Sequence, residues 1–252
     1  MMSFARPTLM EISKKQLQLK MKAYLWVFHS LVILQLIAVF FSLGGSGSMG
    51  SGRNDLFIQV QFYSADVVIA FTMLWAFIIA AQLTSTLYKE NEFMFVTNQM
   101  SHHLSDLAFL VIISTFSAIL ALLSGYLIKV IGYVFLGFIP VLDGNDLLDV
   151  KHLIYGILAT ILFITVSGAA GYAFGMLVQL NRLFMLVIPV FIMGSLFVSS
   201  IWDQYGNNWI IKVFQFYFQE ANFWLFSLKM VLTIFGFFMI AILISKRLEA
   251  RQ

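Results

Sequence analysis

The chain has no cysteine and only 3 prolines in 252 residues. Without cysteine there is no disulfide framework, no thiolate nucleophile and no cysteine-ligated metal. Charge is almost as scarce. Asp, Glu, Lys and Arg make up 11% of the chain, against about 25% in a soluble globular protein. So few charges cannot cover a surface that faces water. The motifs of soluble catalysis are missing too. There is no GxxxxGK[ST], so the chain cannot hydrolyse ATP on a phosphate loop of its own, and no HExxH or GxSxG. Leu123, Ser124 and Gly125 match the start of an ATPase signature, but they lie in an apolar run without the Gly-Gln that should follow. No cleavable signal peptide is expected, because the first apolar run, 23–43, is longer than such a segment needs.

What is present is hydrophobic, 61% of all residues. A helix needs about 20 apolar residues to cross a hydrocarbon core about 30 Å thick. Six runs meet this: 23–43, 67–87, 107–128, 153–178, 183–201 and 223–244. They are solidly apolar and do not alternate, which selects helices over the strands of a membrane barrel. The expected fold is all-α, a six-helix transmembrane bundle forming one membrane domain over 1–252.

Basic residues set the orientation. Arg6, Lys14, Lys15, Lys20 and Lys22 precede the first run, Lys246, Arg247 and Arg251 follow the last, and Lys89 and Arg182 fall in the second and fourth connections. The opposite connections carry mostly acids, among them Asp55, Asp66, Asp143, Asp146, Asp149, Asp203 and Glu220. Both termini are therefore expected in the cytoplasm, and the absence of cysteine fits a bacterial plasma membrane.

The segments between the runs have their own character. Residues 4–20 place Leu9, Ile12 and Leu19 among basic residues, as in an amphipathic helix lying in the membrane interface, with a disordered basic tail as the alternative. GGSGSMGSGR at 44–53 has the composition of a flexible linker. The third run continues past Lys129, which is expected to snorkel outward, leaving 131–138 in the interface. Residues 202–222 are aromatic but too polar to span. They fit a re-entrant or interfacial hairpin on the outer side, with Trp202, Trp209, Tyr217 and Trp224 at headgroup depth.

Few polar groups interrupt the spans. His102 and His103 are adjacent and point to different sides of a helix, a poor arrangement for joint metal ligation, so both are expected to be solvated at the interface. Lys229 lies about two turns into the last run, to snorkel outward or to pair with Glu220 or Asp66. Ser167, Gly171 and Gly175 put small residues at i, i+4 and i+8, which admits a close helix neighbour within the chain or from a second copy. Pro189 and Gly194 are expected to kink or loosen the fifth span.

The most informative stretch is the second connection, 88–107, YKENEFMFVTNQMSHHLSDL. A charged cluster, Lys89, Glu90, Asn91 and Glu92, leads into Phe93, Met94, Phe95 and Val96 and then a polar turn at Thr97, Asn98 and Gln99. Aromatic residues on the cytoplasmic side need burial, against a protein partner or among lipid headgroups.

On these features the chain resembles the permease subunit of ABC exporters of the type-two (type V) class, in the short form found in Gram-positive bacteria. The likeness extends over nearly the whole length. In that class the second connection carries a charged cluster, a hydrophobic stretch and a turn with proline and arginine; the last two residues are absent here. The resemblance implies that 88–106 is a coupling segment docking on a separate ATPase subunit through Glu90, Glu92, Phe93, Phe95, Thr97 and Asn98. It implies a second permease subunit, identical or paralogous, and lipid as further partners, and no nucleic acid. ATP and Mg would sit on the ATPase chain, leaving this one without catalytic residues, cofactor or metal. The expected function is ATP-driven export of an amphipathic cargo: a peptide, a drug or a lipid-like molecule. The alternatives are a secondary transporter or channel not coupled to ATP, which should show buried carboxylates and an inverted repeat, and a membrane enzyme, which should show polar residues converging at one depth.

Overall fold

The computed structural model describes residues 9–44, 47–53, 56–62, 64–85, 99–136, 150–202, 212, 215–217, 220 and 222–249. Seven helices are assigned among them: α1 (Leu9–Ala23), α2 (Leu25–Ser42), α3 (Asp66–Leu83), α4 (Gln99–Leu136), α5 (Val150–Leu180), α6 (Phe184–Trp202) and α7 (Phe223–Glu249). Between α2 and α3, β1 (Gly47–Arg53) and β2 (Leu56–Phe62) pair antiparallel, with Gly47 opposite Phe62 and Arg53 opposite Leu56.

Five helices, α2, α3, α4, α5 and α7, are long and apolar enough to cross a membrane. Their exteriors match that solvent: Ile33, Leu36, Phe40, Leu74, Leu228 and Leu232 are all exposed. A water-soluble protein rarely shows so much contiguous apolar surface, whereas lipid accepts it and leaves each helix to satisfy its own backbone. The chain is a multi-pass helical membrane protein.

The bundle is organised around α5, which packs on α3, α4 and α7. Small residues make the α3–α5 approach close. A Cβ on Gly171 would run into the backbone of Phe77, and one on Gly175 into Thr84 Oγ1 and the Ala81 carbonyl. Ser167 Oγ donates to the Met73 carbonyl at 2.7 Å. The stripe Ser167, Gly171 and Gly175 thus faces α3 of the same chain, the first of the two neighbours its spacing allowed.

The main core includes Val27 and Leu31 of α2, Trp75 and Ile79 of α3, Phe109 and Ile113 of α4, Ile164 and Tyr172 of α5, and Phe238 of α7. A smaller cluster gathers Val39, Val68, Ala121 and Ile128. One polar tie crosses the bundle interior: Gln35 Nε2 donates to Thr72 Oγ1 at 3.2 Å and to the Ser117 carbonyl at 3.1 Å, joining α2, α3 and α4.

Several sequence expectations need correction. Residues 47–53, read as linker, form a strand, because LFIQVQF at 56–62 supplies an apolar, β-branched partner to pair with. The third span begins earlier and ends later than its apolar run. Residues 99–106, read as connection, are the first two turns of α4, and the helix runs unbroken past an exposed Lys129 to Leu136. At 38 residues it is about 57 Å long, well beyond the thickness of a bilayer core. Of the two alternatives for the segment before the first span, residues 9–23 form the helix and not the disordered tail. α1 packs on α4 through Ser13, Leu17 and Lys20 and leaves Leu19 exposed. Pro189 lies inside α6, which continues through it. Residues 88–98 lie outside the described residues, as does most of the expected outer hairpin 202–222.

Candidate functional site

The polar residues that the sequence scattered along the chain converge at one end of the bundle. α1 has its buried face at Ser13, Lys20 and the following Tyr24, spaced by about two helical turns and then one. That face is set against the first turns of α4. Ser13 Oγ donates to the Ser101 carbonyl at 3.3 Å, and Lys20 Nζ donates to Asp106 Oδ1 in a buried ion pair. His102 and Asp106 share a face of α4 because they are four residues apart, with Nε2 of the ring 3.4 Å from Asp106 Oδ2. The Lys20 ammonium also lies 3.3 Å from His102 Nδ1.

From α5, Tyr172 donates its hydroxyl proton to Asp106 Oδ2 at 2.8 Å and meets His103 Nδ1 at 2.8 Å. Its ring stacks on Phe238 of α7, centroids 5.0 Å apart. Tyr172 and Asp106 are fully buried, and Lys20 is 3% exposed. A lone buried charge would be prohibitive, and here the carboxylate has an ammonium, an imidazole and a phenol to answer it.

An ammonium only donates, so His102 accepts from Lys20 at Nδ1. Tyr172 gives its single proton to Asp106, so His103 must carry a proton on Nδ1 and donate it to the phenol oxygen.

The expectation that His102 and His103 are solvated is overturned: they are 9% and 4% exposed. Their polarity fits the interior because Lys20, Asp106 and Tyr172 supply partners. Polar residues do converge at one depth, the feature a membrane enzyme should show, but Asp106 and Tyr172 at their centre are buried. Among the described residues no group of His, Cys, Asp or Glu could hold a metal ion. The i, i+4 spacing of His102 and Asp106 was the signal available in advance, while nothing in the sequence singled out Lys20 or Tyr172.

The other expected site residues fall elsewhere. Glu90, Glu92, Phe93, Phe95, Thr97 and Asn98 are outside the described residues. Lys229 is paired with Glu220 and also donates to the Phe216 carbonyl at 3.2 Å, its ammonium 3.8 Å from the centre of the Phe216 ring. Asp66, the other acid considered for it, accepts from Ser64 Oγ at 2.6 Å. No protein-family model, curated protein or solved structure matches the chain.

Proposed function

We propose that this multi-pass protein is the permease subunit of an ATP-driven ABC exporter, resident in a bacterial plasma membrane with both termini in the cytoplasm. In this reading α6 is the sixth span, residues 202–222 form an outer hairpin, and two permease subunits pair above two copies of a separate ATPase. The cargo is amphipathic. This chain performs no bond chemistry; it moves the cargo by occupying two arrangements that ATP binding on the partner favours differently.

The observation that carries the reading is the joint at Gln99. The aromatic segment 88–98 leads directly into α4, and the first turns of α4 are tied to α1 through Lys20 and to α5 through Tyr172. A force applied at the start of α4 would therefore reach α1, α5 and, through Phe238, α7. The exposed Lys14, Lys15 and Lys22 on α1 support the same sidedness, since basic residues favour the cytoplasmic face.

The test is recovery of the native complex through a tag on this chain. An ATP-binding subunit should co-purify, with ATP hydrolysis in the eluate. In vesicles rebuilt from that complex, Glu92→Ala with Phe93→Ala should lower cargo moved per ATP while the protein still folds. Cargo movement by this chain alone, with no nucleotide and no companion, would refute the assignment and favour a secondary transporter.

A further inference from the structure

The outward face of α1 repeats the spacing of its inward face. Ser13, Leu17 and Lys20, at i, i+4 and i+7, turn toward the bundle. Lys15, Leu19 and Lys22 have the same spacing two residues further on, about 200° around the helix, and all three are exposed. A leucine between two lysines, turned away from the protein, suits neither bulk water nor the hydrocarbon core. It suits the boundary between them, where leucine enters the acyl chains and the lysine stems carry their ammonium groups to the headgroups.

α1 is held at that boundary. Tyr24 alone separates it from α2, a helix long and apolar enough to span, whose first residues, Leu25 and Trp26, are exposed. Lys22 therefore lies within one turn of the start of that span. On the opposite face of α1, the ion pair of Lys20 with Asp106 fixes the helix to the first turns of α4.

The exposed charge at this end of the bundle is mostly of one sign. α1 carries a single acid, Glu11, against exposed Lys14, Lys15 and Lys22. α5 and α7 run parallel, with Tyr155 beside Phe223 and Tyr172 beside Phe238, so both finish at the end where Tyr172 meets Asp106 of α4. There Arg182 follows α5, and Lys246 and Arg247 lie in the last turn of α7, all exposed. Cations thus stand where α2, α5 and α7 leave the hydrocarbon. A surface of that charge at that depth complements headgroups with a net negative charge, while a zwitterionic headgroup offers it no net attraction.

We propose that the stripe Lys15, Leu19 and Lys22 on α1 is a binding surface for anionic phospholipid, whatever the protein transports. The two ammonium groups engage headgroup phosphates and Leu19 sits among the acyl chains, which selects a lipid over a soluble anion. Arg182, Lys246 and Arg247 add to the attraction from the neighbouring span ends.

The chain has no cysteine, so Gln18→Cys, on the exposed side of α1, gives the full-length protein a single thiol for a fluorophore. The labelled protein is reconstituted in phosphatidylcholine vesicles containing a small fraction of nitroxide-bearing lipid, either phosphatidylglycerol or phosphatidylcholine, and quenching reports how much of each stands beside α1. Phosphatidylglycerol should be enriched there, and Lys15→Gln and Lys22→Gln should each lower the preference by up to about fivefold. Lys15→Arg with Lys22→Arg should keep it, and Lys129→Gln at the far end of α4 should leave it unchanged. Raising the ionic strength from about 0.01 M to about 1 M shortens the Debye length from about 30 Å to about 3 Å. With both lysines in place, this should bring the two lipids close to equal, a readout that depends on no variant at the stripe. Equal quenching by the two lipids at low salt overturns the proposal and leaves these cations to an acidic protein. A preference that survives Lys15→Gln with Lys22→Gln, or that is lost in Lys129→Gln, overturns it as well.

Discussion

Lys20 of α1 and Asp106 of α4, 86 positions apart in sequence, meet as an ion pair with side chains 3% and 1% exposed. The pair joins α1 to α4, the longest helix among the described residues. Removing one partner strands the other, so Asp106→Asn is expected to cost about 3–5 kcal/mol. Removing both charges, with Lys20→Met added to Asp106→Asn, should recover most of that loss because no uncompensated charge remains. Thermal unfolding in detergent, followed by tryptophan fluorescence, measures both. An Asp106→Asn protein that melts with the unsubstituted one would show the pair to be open to water.

The α3–α5 contact depends on the absence of side chains. Gly171 and Gly175 lie against the backbone of α3, where any Cβ collides, while Gly156 and Gly236 have no atom within 4 Å of the place a Cβ would occupy. Gly171→Ala and Gly175→Ala should therefore push the helices apart and sharply reduce the yield of monodisperse protein. Gly156→Ala and Gly236→Ala should be neutral or stabilising by up to about 1 kcal/mol, the helix-propensity difference between the two residues. Ser167→Ala, which loses the bond to the Met73 carbonyl, should cost about 0.6 kcal/mol, the usual scale for such ties between membrane helices. Size-exclusion profiles of fluorescent fusions rank all five. Equal profiles for Gly171→Ala and Gly156→Ala would contradict the close approach.

How far these features were legible in advance follows from which forces act locally. The apolar runs at 23–43, 67–87, 153–178 and 223–244 became helices within a few residues of their expected bounds, because lipid leaves the backbone no other partner. The stripe Ser167, Gly171 and Gly175 was readable as a packing face, but the identity of its neighbour was not, since spacing carries no address. Lys20 looked like one more basic residue of an amphipathic helix. Its burial depends on Asp106 waiting on α4, a relation no local window contains. The same holds for His102 and His103: the polar stretch 99–106 reads as loop until α1 and α5 close over it. The glycine-rich 47–53 became a strand only through its partner at 56–62.

At the start of α7, Lys229 is held three ways, by Glu220, by the Phe216 carbonyl and by the face of the Phe216 ring. With the bond between Tyr217 and Thr233 at 3.0 Å, this ties Phe216, Tyr217 and Glu220 to α7. The side chains of Lys229 and Glu220 are 20% and 26% exposed, so water and salt screen the pair in part and its worth is about 1 kcal/mol. Lys229→Met should raise amide exchange at 215–217 and 220 several-fold while leaving α3 and α5 protected, and Lys229→Arg should restore most of the protection. Unchanged exchange in Lys229→Met would mean that the tyrosine contact alone holds the segment.

α6 is the helix whose placement decides the topology. It has 19 residues and no Asp, Glu, Lys or Arg, and its length of about 28 Å nearly matches the hydrocarbon core. Leu186, Val190, Phe191 and Met193, which point in several directions around it, are each more than half exposed, and it meets α5 over only a short stretch. Such a surface is insoluble in water, so the helix is expected to cross the bilayer as the sixth span. Parity makes this measurable. With six crossings Lys15 and Lys246 lie on the same side, and with five they lie on opposite sides. Because the chain has no cysteine, single substitutions Lys15→Cys, Lys246→Cys and Arg53→Cys can each be probed in intact cells with a membrane-impermeant maleimide. Arg53→Cys should react at once, and the other two only after permeabilisation. Labelling of Lys246→Cys from outside, with Lys15→Cys still protected, would place α6 outside the membrane and remove the even-span arrangement on which a cytoplasmic C-terminus depends.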